Sequence, residues 1–180
     1  GDPGRVRIVP VFLGYDYSFG PDAMTPTQVK DWAAADGIVA TDERFLFSEP
    51  YLTREAWCQE RGTATLKRFE QISSDEQWVL INHYPLRRDL VRLFRIPRYA
   101  PWCGTRLTEG WSRDFPLRVV VSGHLHMRAT DWRDGVRFEE VSIGYPNHWV
   151  VAKGMAHYLR EILPGPPTKP ARNEGPYWHR

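Results

Sequence analysis

Three histidines stand where imidazole could do coordination chemistry. His83 follows the apolar run "WVLI" at residues 78–81, and His124 and His126 follow the run that starts at Leu117 and ends in Ser122-Gly123. Continuous apolar runs of this length fit strands buried on both faces. Two strands would then each deliver imidazole at a carboxyl end, where open α/β sheets gather their ligands. Neutral imidazole is the commonest metal-ligand side chain, and a second hydrogen bond usually orients it. Gly123 is expected to turn the backbone so that His124 and His126 diverge and reach two different ions. The plainer reading, polar residues at a strand end, loses ground because the same setting occurs twice.

Arginine is the second chemical feature. Arg87, Arg88, Arg92, Arg95 and Arg98 follow His83 closely, and Arg106 lies further on. A helix is expected over Leu86 to Phe94, and on it Arg88, Arg92 and Arg95 form one stripe at i, i+4 and i+7. Such a stripe is either a solvated face or an anion cradle, since guanidinium binds phosphate oxygens bidentately. Arg88, Arg92, Arg106 and His148 are the candidate substrate-binding residues. His157 is expected to be structural or solvated, and His179, in the tail, to have no role. Asn82 should face away from His83, and Asp16 in "YDYS" should form a turn.

These residues need elements to hold them. Arg5 to Phe12 reads as a strand whose Pro10 suits an edge. Thr25-Pro26-Thr27-Gln28 has the form of a capping box, with Val29, Trp32 and Ala33 as the apolar stripe and Gly37 as the stop. A second helix is expected from Thr53 to about Ser73, with Leu66, Phe69 and Ile72 inward and Gly62 weakening its middle. Residues 95–116 are irregular. Asp134-Gly135 between two alternating runs marks a hairpin. A short helical piece is expected after "SIGYPNHW", up to about Ile162. The organisation expected is one domain over residues 1–162 and a proline-rich, disordered tail over 163–180.

Composition sets the outer limits. The chain has 180 residues, 42% hydrophobic and 26% charged, with a net charge of +2. That is an ordinary globular balance, too weakly basic to point to nucleic acid. No run approaches the length of a membrane helix. Cys58 and Cys103 form no C-x-x-C pair, so two reduced cysteines and a cytoplasmic location are expected.

The segments "INHYP" and "SGHLH" resemble the strand-end histidine motif and the terminal G-H-x-H motif of calcineurin-like metallophosphoesterases. "YDYSFG" and "SIGYPNHW" are similar to stretches of bacterial members. The resemblance covers about residues 5 to 150. It implies an α/β fold, a four-layer αββα sandwich with two packed sheets, here as an incomplete C-terminal portion. It implies two divalent cations (Mn, Fe, Zn or similar) that share a bridging hydroxide for attack on phosphorus. His83 and His124 would be ligands of one metal and His126 a ligand of the other. The substrate implied is a phosphorylated small molecule or a phosphoprotein. The family's D-x-H, G-D-x-x-D and G-N-H-D/E motifs are absent, so the chain is expected to be part of a longer reading frame, and inactive alone. Two alternatives compete: a non-catalytic binding module that keeps the fold, and a structural zinc domain, which lacks cysteines at finger spacing.

Overall fold

The computed structural model describes residues 4–73, 75–165 and 173–179. The chain divides into two compact units. One comprises the described residues within 1–11, 74–83 and 111–180, and the other Phe12–Ser73 with Tyr84–Gly110.

The first unit is built on a six-stranded sheet. Its strands are β1 (Val6–Pro10), β2 (Gln77–Ile81), β3 (Leu117–Ser122), β4 (Arg128–Arg133), β5 (Val136–Val141) and β6 (Glu174–Trp178), in the order β1-β2-β3-β5-β4-β6. β1, β2, β3 and β5 run parallel, and β4 is antiparallel to β5 and β6. Both apolar runs are buried on both faces over most of their length, Ile81 at the end of β2 being exposed. Trp78, Val79 and Leu80 in β2 and Val119, Val120 and Val121 in β3 are all buried. Val79, Val119 and Val121 pack with Val6, Val141, Ile162 and Leu163 on one face. Trp78 stacks on Phe115, which also meets Trp111 from helix α4 (Trp111–Asp114) edge-on. Pro10 sits at the end of β1, an edge strand, where its missing N–H costs no ladder bond.

Asp134 and Gly135 both adopt positive φ, 53° and 74°, the conformation a two-residue hairpin turn requires. The tail expected as disordered departs from that reading, because Glu174–Trp178 extends the sheet beside β4. The rest of the tail call on residues 166–172 and 180 lies outside the described residues. One sheet is found among the described residues.

The second unit holds helices α1 (Pro26–Ala34), α2 (Asp42–Phe45) and α3 (Arg54–Phe69). The capping box is present: Thr25 Oγ1 accepts from the Gln28 amide, and Gln28 Oε1 from the Thr25 amide. In α3 the inward face is Cys58, Gly62, Thr65 and Phe69, while Leu66 is exposed. Gly62 is therefore a packing residue: a Cβ there would already touch the side chains of Leu107 and Leu13. Tyr15, Tyr17, Val29, Ala33, Ala40, Tyr84 and Trp102 form the core. Glu43 serves it as acceptor, taking hydrogen bonds from Tyr17 Oη at 2.8 Å and Trp102 Nε1 at 2.7 Å.

The expected helix over Leu86 to Phe94 is absent; only Arg88–Leu90 makes a 3-10 turn. Tertiary bonds claim the groups a helix would use. The Leu86 carbonyl accepts from Thr108 Oγ1, and the Arg88 amide donates to the Glu109 carboxylate. Phe94, expected in the core, is 80% exposed.

Candidate metal centre

The β2–β3 ladder continues past the strand ends. The Asn82 amide donates to the Val121 carbonyl and the Gly123 amide to the His83 carbonyl, both at 3.0 Å. These two bonds keep His83 and His124 side by side where the strands run out. His124 Nδ1 lies 3.2 Å from His83 Nε2, with the rings edge to face and their centroids 5.1 Å apart. Two nitrogens bound to one tetrahedral cation at about 2.1 Å would stand roughly 3.4 Å apart. The pair thus suits either a direct N–H···N hydrogen bond or a shared ion.

His126 diverges. Leu125 between the two histidines is buried, and His126 is exposed with its ring 4.3 Å from that of Tyr145. The residue that reverses the chain is His126 itself, at φ 54°. Gly123 has no positive φ, and a Cβ there would meet nothing. The expectation about Gly123 is therefore corrected; histidine is among the few residues that tolerate the left-handed region. Among the described residues no three His, Cys, Asp or Glu side chains gather at metal-binding distance. The structure joins two of the three predicted imidazoles, which fit as part of a donor set and fall short of a dinuclear centre.

The three arginine candidates belong to the second unit. Arg88 Nε donates to the Phe19 carbonyl at 2.7 Å. Arg106 donates to the Ser18 carbonyl at 2.7 Å and pairs with Asp22 at 2.9 Å. Both tie loops together within the second unit. Arg92 is half-buried there, and without the helix the proposed arginine stripe has no geometry. His148 ends the turn Pro146–His148, and its side chain lies outside the described residues. Asp16 forms the expected turn, accepting from the Ser18 amide at 3.1 Å and from Thr105 Oγ1 at 2.7 Å. Cys58 and Cys103 are free and buried, and burial pushes the Cys58 thiol up to about 12.

Two features escaped the sequence reading. Glu140, 9% exposed, accepts from Ser122 Oγ at 2.8 Å beside the histidine turn, and burial pushes its carboxyl up to about 7. On the opposite face, Glu139 is held by Arg137 and Arg160, each at 3.1 Å. Thr130 joins this network and contacts His179 Nε2 at 2.6 Å, so His179 is not an idle tail residue. The alternation of β5 hid both acids, because charged residues in a strand read as its solvent face.

No known protein family description matches the chain. It is 45% identical over 168 residues to an acyl-carrier-protein phosphodiesterase, PptH, of Mycobacterium tuberculosis, covering 93% of this chain and 52% of that protein. It is also similar to the crystal structure of the phosphopantetheinyl hydrolase PptH from Mycobacterium tuberculosis. That likeness has a TM-score of 0.81 and 45% identity, and covers 91% of this chain and 58% of the other. The chain spans about half the length of the curated relative it matches.

Proposed function

We propose that this chain carries the histidine portion of a metal-dependent phosphodiester hydrolase of the metallophosphoesterase kind, acting on the phosphopantetheinyl group of an acyl carrier protein. The observation that carries the reading is the meeting of His83 and His124 at the carboxyl ends of two adjacent parallel strands, 3.2 Å apart. It stands in a chain 45% identical to a phosphodiesterase. Divalent cations at such a site polarise phosphoryl oxygens and activate water. The chain's own part is to present two preset imidazoles and, through His126, a third facing Tyr145. In this reading the carboxylate ligands, and the second sheet of a four-layer sandwich, come from sequence outside these 180 residues.

A second reading, a binding module without a working centre, is favoured by one observation: the described residues assemble no third ligand. One experiment separates the two. The protein from its complete reading frame is incubated with phosphopantetheinylated carrier protein, with Mn²⁺ or with chelator, and the carrier's mass is followed. The hydrolase reading expects metal-dependent loss of the group, falling at least a hundredfold in His83→Ala and His124→Ala. Binding of the carrier without turnover would establish the second reading. Turnover indifferent to chelator and to both substitutions would sink the metal assignment.

A further inference from the structure

The histidine turn has little to lean on. Ser122 and Gly123 are half-buried, His126 is exposed in a left-handed conformation, and a Cβ at Gly123 would find open space. Ring contacts give part of the direction, His124 edge-on to His83 and His126 to Tyr145. One acidic side chain is hydrogen-bonded to the start of the turn. Glu140 is the register partner of Ser122 across β3 and β5. Its Oε2 accepts from Ser122 Oγ at 2.8 Å, and the amides of Leu125 and Ser142 both favour its charged form. Its Oε1 is buried and makes no hydrogen bond among the described residues. A carboxyl buried with half its acceptor capacity idle costs free energy. That cost has to be offset by what the group holds in place.

We propose that Glu140 is a positioning residue that fixes the turn from Ser122 to Leu125 and so sets the directions in which His124 and His126 present their rings. The inference deepens the proposed function and rests on it only where metal is concerned. Partners of metal-ligating histidine segments commonly matter almost as much as the ligands themselves. Here the partner acts on the turn: it accepts from Ser122 Oγ, two residues before His124, and the Leu125 amide favours its charged form.

The test uses the intact protein with Glu140→Ala, Glu140→Gln and Ser122→Ala. Side-chain nitrogen–proton spectra of the histidines are recorded without metal, and Mn²⁺ affinity is titrated separately. Glu140→Ala is expected to move the His124 and His126 ring resonances and to weaken Mn²⁺ binding about 10–100-fold. Ser122→Ala should do the same to a smaller degree, and Glu140→Gln, which keeps an acceptor, should restore most of the affinity. A lowered melting temperature with unmoved ring resonances and unchanged Mn²⁺ affinity would reduce Glu140 to an ordinary core residue. If Glu140→Ala fails to fold, Ser122→Ala carries the same expectation and the same refutation. Failure of the wild type to bind Mn²⁺ would overturn the metal reading, while the ring resonances would still decide the role of Glu140.

Discussion

His83 and His124 stand together because main-chain bonds hold them there, so removing either ring should leave the fold intact and take away a ligand. His124→Ala is expected to lower Mn²⁺ affinity at least tenfold in the intact protein with little change in melting temperature, as read by titration and calorimetry. His126→Ala should cost less, because its ring already faces Tyr145. Glu140 sets a pH dependence whose sign can be worked out. Its folded pKa, about 7, lies above the ordinary value of 4.5. The folded state therefore binds this proton more tightly than the unfolded chain does. The associated stability is fully present below pH 4.5 and is lost as pH rises towards 7, by roughly 3 kcal/mol in all. Urea midpoints of Glu140→Gln, which cannot ionise, should decline less than wild type over that window. Parallel pH profiles for the two proteins would refute this assignment.

At the scale of elements, local signals held where no tertiary partner competed with them. The capping box before α1 formed as written, and Thr25→Ala should cost about 1 kcal/mol in thermal unfolding. The Asp134-Gly135 turn holds two left-handed residues, and only glycine does so without strain. Gly135→Ala should therefore cost about 1–2 kcal/mol, measured against a control substitution at an exposed strand position. The stretch after Pro85 failed as a helix because Thr108 and Glu109 took its backbone groups. Periodicity cannot see such a competitor, since it lies about twenty residues further along the chain.

At the scale of the molecule, the segment around residues 160–162 is fastened to the sheet by charge. Arg137 donates to the Ile162 carbonyl as well as pairing with Glu139, and Arg160 reaches Glu139 from the same segment. A side chain at Gly165 would collide with the Arg137 guanidinium. The Glu139 carboxylate is fully buried and the Arg137 guanidinium nearly so, with side-chain exposures of 0% and 3%. Glu139→Ala would leave a buried cation without its partner, and should cost about 3–5 kcal/mol in chemical denaturation. A loss under 1 kcal/mol would show the network to be incidental. No described helix is long and apolar enough to cross a membrane.

Sequence alone determined whatever depends on neighbours along the chain. The two apolar runs had to be strands buried on both faces, the Asp134-Gly135 pair had to be a hairpin, and His83 and His124 had to emerge at strand ends. Register was not legible. Only the parallel pairing of β2 with β3, carried on by Asn82 and Gly123, decided that His83 faces His124 while His126 turns to Tyr145. Nor was the fate of the charges. Glu139 and Glu140 are adjacent in one strand, so alternation sends them to opposite faces, and what each face meets depends on residues far away in sequence. The same holds for β6 and for Arg88, whose partners Phe19 and Glu109 no local pattern announces. Hydrogen bonds and ion pairs act over a few ångströms, and only the folded chain brings distant residues within that reach.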